Sequence, residues 1–267
     1  MDLPAGWTSV VADGPGPFVT RARLRRPDGS MVSWRSRAHR KRPGRLAAWM
    51  SGLFAAGSVC FAAGAIASQW GSSALETAIG VTFFVGSLLF TSAAFLQWLE
   101  AVNVSWRGEG AADPRRRWRP ASWQPRRIDW LASLVQLAGT VFFNVSTFAA
   151  LKHGLDTRQT NLRVWTPDVA GSVCFLVASV LAYAEVCGRW VCWRVRSVPW
   201  WITSVNLLGS IWFGLAAIGA VIEPSTNEPL AARLDNVGTA LGGICFLVGA
   251  LLLVPEARQA SAQPTTA

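Results

Sequence analysis

Three glutamates, Glu100, Glu185 and Glu256, each close an apolar run that opens fourteen residues earlier on a glycine: GSLLFTSAAFLQWLE from Gly86, GSVCFLVASVLAYAE from Gly171 and GGICFLVGALLLVPE from Gly242. On a helix, fourteen steps of 100° fall about 40° short of four turns, so glycine and glutamate share a face. A carboxylate at a helix C-terminus meets the negative end of the dipole and calls for a cation nearby. Two chemistries fit. The glutamates are salt-bridge partners of arginines such as Arg107, Arg126, Arg127, Arg189 and Arg258, locking helices together, or they form an acidic ring that attracts cations. Three carboxamides, Gln136, Asn144 and Asn206, also lie in apolar surroundings; they line a polar path or bond helix to helix. Gln136 and Asn206 each stand three residues before a glycine, Gly139 and Gly209.

Enzyme chemistry finds little to work with. There is no phosphate-binding glycine loop, no nucleophile elbow and no metal-ligand pair, the histidines being His39 and His153 only. Cys187 lies beside Arg189 without an identifiable base. The expectation is a non-enzyme with no cofactor and no metal. No Asp, Glu, Lys, Arg or His stands at the centre of an apolar run, so an intramembrane proton or ion relay is not expected.

The elements that position these residues are helices of membrane length. Of 267 residues, 51% are hydrophobic and 15% charged, yet the formal net charge is +10. Six runs lack charge for roughly the 20 residues a bilayer requires: 46–69, 77–99, 130–151, 169–184, 200–222 and 236–255. Each glutamate-ended run follows another carrying Gly-[Ser/Thr]-[Val/Ile]-x-Phe, at Gly57 to Phe61, Gly139 to Phe143 and Gly209 to Phe213. The fold class expected is therefore an all-α integral membrane protein, six transmembrane helices as three repeated helical hairpins over 46–100, 129–187 and 200–256. Basic loops at 101–128 and 188–199 separate them, and 257–267 reads as a disordered tail. Ser73-Ala74-Leu75-Glu76 reads as a capping box, and Asp168 as the cap of the fourth helix. Gly238-x-x-x-Gly242 reads as a close helix contact. No disulfide is expected: Cys60, Cys174 and Cys245 serve as small packing residues, with Cys187 and Cys192 kept reduced.

Residues 1–45 form a basic N-terminal region. Ala22 and Leu24 alternate with Arg21, Arg23 and Arg25, and Pro27-Asp28-Gly29 signals a turn, so a short β-hairpin with an arginine-rich face is expected. Arg21, Arg23, Arg25, Arg35, Arg37, Arg40, Lys41, Arg42 and Arg45 suit anionic phospholipid headgroups, at about 1 kcal/mol each near the surface. A membrane-protein partner or a homo-oligomer is open; nucleic acid is not expected, because no groove-reading motif is present. With both termini in the cytoplasm, 21 of the 25 Lys and Arg fall inside, which sets the expected orientation in a bacterial inner membrane. The alternative to an accessory role is a channel or carrier for a small solute or cation.

Phe143-Asn144-Val145-Ser146-Thr147, Trp200-Trp201-Ile202, Asn206-Leu207-Leu208-Gly209-Ser210 and the Gly-x-x-x-Phe helices ending in Glu resemble bacterial membrane proteins with a YrhK-like domain. The similarity runs over about residues 30–256 and includes Ser36-Arg37-Ala38-His39-Arg40-Lys41; the Arg, Ala and Trp usage resembles that of actinobacterial proteins. The resemblance implies a membrane location and the helix-pair repeat, and brings no catalytic residues with it.

Overall fold

The computed structural model describes residues 5–36, 44–70, 75–103 and 122–262, with backbone alone at 44 and 257–262. The chain begins with a small antiparallel sheet, β1 (Thr8–Asp13), β2 (Arg21–Arg25) and β3 (Met31–Arg35), in that spatial order. The expected hairpin is β2–β3. Its turn is held by Asp28, whose Oδ1 accepts from Ser30 N at 2.8 Å and Ser30 Oγ at 2.6 Å, with Gly29 at φ +83°. Those two donors hold the Asp28 carboxyl below its ordinary value. β1 is an addition to the expectation. It is brought alongside β2 by Thr20, whose N and Oγ1 both donate to Asp13 O, and by Gly14, where a Cβ would lie 2.3 Å from Phe18 O.

Helices α1 (Gly44–Ser68), α2 (Glu76–Val102) and α3 (Ile128–Ala150) follow. A short helix α4 (Thr157–Thr160) then runs through a π-turn (Asn161–Trp165) into α5 (Thr166–Cys187), and α6 (Val198–Gly219) and α7 (Ala232–Ala262) complete the chain. Among the described residues, six helices are long and apolar enough to cross a membrane, counting α4 to α5 as one. They close into a ring in chain order, each packing on its neighbour and α7 returning to α1. The outer surface is apolar, with Val59, Ile66, Val85, Phe95, Phe148, Val173, Ile218 and Leu251 exposed, as lipid contact requires.

Small residues set how close the helices come. A Cβ on Gly57 would lie 2.9 Å from Gly86 O, one on Gly171 3.1 Å from Gly139 O, and one on Gly242 3.1 Å from Gly209 O. Across the same contacts Cys60, Cys174 and Cys245 lay their Cβ atoms against Gly86, Gly139 and Gly209. Gly238 meets Trp212 O and Ala216 in the close α6–α7 contact. The freed space on the axis is filled by phenylalanine. Phe61, Phe143 and Phe213 pack tilted or edge to face as one triangle, with centroids 5.6–6.3 Å apart. Phe90, Phe175 and Phe246 form a second at 5.7–6.1 Å, and Phe61–Phe90, Phe143–Phe175 and Phe213–Phe246 join the two at 5.1–5.5 Å.

Four expectations are corrected. The fourth span is capped not by Asp168 but by Asp156, which accepts from Gln159 N at 2.7 Å at the start of α4; Asp168 lies inside the first turn of α5. The π-turn accommodates Asn161, which pairs twice with Ile222, through Nδ2 to its O and from its N to Oδ1. α7 continues past Glu256 and through Pro255 to Ala262, so the start of the expected disordered tail is helical. Cys187 and Cys192 form a disulfide, because Gly188 ends α5 in the left-handed conformation at φ +67° and folds the chain back, leaving the two Cα atoms 5.4 Å apart. Finally, α2 begins behind Leu75 with no side-chain cap; Ser73 of the expected capping box lies outside the described residues.

Candidate functional site

The sheet sits on the end of the bundle where α3 begins and α5 ends. Val19 N donates to Arg126 O at 2.9 Å, Phe18 packs against Ile128, Leu181 and Ala184, and Ser36 Oγ donates to Glu185 Oε1 at 2.7 Å. Arg127 is the joint. It is 1% exposed, its Nε donates to Asp129 Oδ1 at 3.1 Å, its Nη2 pairs with Asp129 Oδ2, and Nη1 donates to Gln124 at 2.6 Å. Its guanidinium also lies 5.9 Å from the ring centre of Trp34 on β3. On the other face of the sheet, Arg21, Arg23 and Arg25 are exposed, with Arg35 directly opposite Arg21. Arg45 is exposed at the start of α1, while Arg37, Arg40, Lys41 and Arg42 lie outside the described residues.

Beneath the sheet is a cavity of about 80 Å³ on the bundle axis. Phe90, Phe175 and Phe246 close its inner end, the same triangle that faces the second ring of phenylalanines. Its polar wall is Gln97, Asp129, Gln136, Ser179, Glu185, Thr203 and Asn206. The spacing from the motif glycines places these residues. Gln136 and Asn206 are one turn before Gly139 and Gly209; the α1 residue at that step is Phe54, which also lines the cavity. Gln97, Ala182 and Leu253 stand eleven residues after Gly86, Gly171 and Gly242, and all three line it.

Of the residues singled out in the sequence, Gln136, Asn206 and Glu185 thus meet at one cavity. Asn144 is elsewhere, donating to Thr91 Oγ1 on α2 at 2.9 Å. Glu100 is buried at 8% exposure, and neither it nor Glu256 is among the lining residues. Sequence reasoning passed over Gln97, Asp129, Ser179 and Thr203 as site residues; the signal for Gln97 was its fixed distance from the motif glycine. Among the described residues, no group of three or more His, Cys, Asp or Glu is placed to hold a metal ion. No family model, curated protein or solved structure matches the chain.

Proposed function

We propose that this multi-pass membrane protein has a structural or accessory role, non-enzymatic, and that its sheet gathers anionic phospholipid headgroups or an acidic partner at the membrane surface beside which it sits. The observation that carries the reading is the shared exposed face of Arg21, Arg23, Arg25 and Arg35 on a sheet fastened to the bundle end. Arg21 stands closest to the bundle, with its Nη2 3.5 Å from where a Cβ of Gly188 would be, and Arg25 follows about 13 Å further along the strand. A face of that reach spans about one and a half Debye lengths at physiological salt. The end nearest the bundle is therefore the part that contributes most at the membrane surface.

The three hairpins are read as copies of one helix-pair unit. Support comes from the glycines and phenylalanines of all three motifs meeting in the same way. The likeness to YrhK-like membrane proteins belongs to the same proposal and rests on the residues quoted for it. The second reading, a channel or carrier, is favoured by the polar cavity; the double layer of phenylalanines across the axis counts against an open path.

Native mass spectrometry of the detergent-solubilised protein with phosphatidylglycerol or phosphatidylcholine tests the headgroup reading. Retained phosphatidylglycerol adducts should exceed phosphatidylcholine adducts and fall in an Arg21→Gln/Arg35→Gln variant, by about fivefold for each residue at about 1 kcal/mol. Equal retention of the two lipids sinks it.

A further inference from the structure

We infer that the axial cavity is a binding site for a small monovalent cation, an alkali-metal ion or ammonium. Three carboxamides turn towards the cavity from three different helices, Gln97 from α2, Gln136 from α3 and Asn206 from α6. Among the described residues these three side chains make no hydrogen bond to the protein, and each lines the cavity. Amide groups that face a cavity without a protein partner offer their oxygens and N–H groups to whatever occupies it.

The remaining wall narrows what that occupant is. Thr203 gives its hydroxyl proton to the backbone at Pro199 O or Trp200 O, and Ser179 shares one with Ser210, so oxygen lone pairs are left on the cavity side. The charged lining residues are carboxylates, Asp129 and Glu185; no Lys, Arg or His lines the cavity among the described residues. Arg127 approaches Asp129 as its ion-pair partner but is not part of the lining. Among the described lining residues an anion finds no charged donor. A cation finds carboxamide and hydroxyl oxygens, part of the donor set that hard cations take, while both Asp129 oxygens are held by Arg127 and Glu185 Oε1 accepts from Ser36. Neutral oxygens predominate, which favours a monovalent ion over a strongly hydrated divalent one. At about 30 Å³ per water, the volume holds an ion with one or two waters.

One backbone position makes room for a ligand oxygen. A Cβ on Gly249 would lie 2.1 Å from Asn206 Oδ1, so the amide occupies the space that a side chain would fill. The residues at the same step of the other two motifs are Ala93 and Ala178. The phenylalanine floor then makes the site a blind one, for binding rather than passage.

The site stands apart from the headgroup reading and is tested without lipid. Thermal unfolding of the full chain in uncharged detergent is followed by tryptophan fluorescence in chloride salts of sodium, potassium, rubidium, ammonium and N-methyl-D-glucamine at equal ionic strength. One or more of the small cations should raise Tm saturably over the bulky one. Asn206→Leu and Gln136→Leu should each weaken the apparent affinity about tenfold, the equivalent of losing one ligand. Asn206→Asp, which keeps the shape and adds charge, should tighten it, and so reports even if the leucine variants fail to fold. The inference is overturned by a Tm indifferent to cation size, by a small-cation shift of the same size and affinity in all three variants, or by stabilisation with urea or acetamide but not with any small cation.

Discussion

The Arg127–Asp129 pair offers the sharpest test of how the sheet is joined to the bundle. Both side chains are almost fully buried, at 2% and 0% exposure. Removing one partner of such a pair strands the other charge, at about 3–5 kcal/mol. Asp129→Ala leaves Arg127 its bond to Gln124 and its contact with Trp34, which places the cost at the lower end, about 3 kcal/mol. That raises the undocked population of the sheet about 150-fold. Replacing both residues, as Arg127→Met/Asp129→Leu, removes the stranded charge and forfeits chiefly the contact with Trp34, about 1 kcal/mol or fivefold. Amide hydrogen exchange reads this at Val19, whose N donates across the joint to Arg126 O, while Ser36 N, bonded to Thr20 O inside the sheet, serves as the internal control. Exchange at Val19 should speed by those two factors. A double variant as exposed as the single one, or a single variant protected like wild type, refutes the reasoning.

Phe213→Ala opens both phenylalanine layers, since that ring touches Phe61, Phe143 and Phe246; it should cost about 3–5 kcal/mol, read as a lowered unfolding midpoint in detergent. Cys187 and Cys192 should resist alkylation without reductant under denaturing conditions while Cys60, Cys174 and Cys245 react, and a Cys187→Ser/Cys192→Ser variant should lose about 2 kcal/mol for so short a loop. Because the Asp28 carboxyl is held below its ordinary value by Ser30, the turn keeps its full stabilisation above the usual carboxylate range and loses it as pH falls through the lowered value. The Ser30 amide resonance should show that acid transition and Asp28→Asn should abolish it.

Elements whose physics is local were legible in the sequence. Six charge-free runs of bilayer length, the close helix contact at Gly238 and the Pro27-Asp28-Gly29 turn each follow from spacing alone. What depends on distant partners was not. Asn161 reads as a loop residue until Ile222, far along the chain, supplies both halves of its amide pairing and lets a π-turn join α4 to α5. β1 exists because Thr20 captures Asp13 O, and Cys187 meets Cys192 because Gly188 adopts a positive φ. For the site, Gln136 and Asn206 were legible by their shared step before a glycine. Gln97 and Asp129 were not, because only the ring closure of helices shows that residues counted forward from one glycine and backward from another reach the same space.

That closure also dictates an order of biogenesis. α1 is synthesised well before its neighbour α7: Ser51 Oγ donates to Ala250 O at 2.8 Å, and Gly243 fits against Ser58 O and Ala62. Until α7 is inserted, α1 shows lipid a notch of small residues and a hydroxyl without that acceptor. The nascent protein is thus an open crescent whose two ends stay sticky through most of translation. A chain truncated before α7 exposes that notch permanently, which gives membrane quality control a feature by which to distinguish unfinished copies from finished ones.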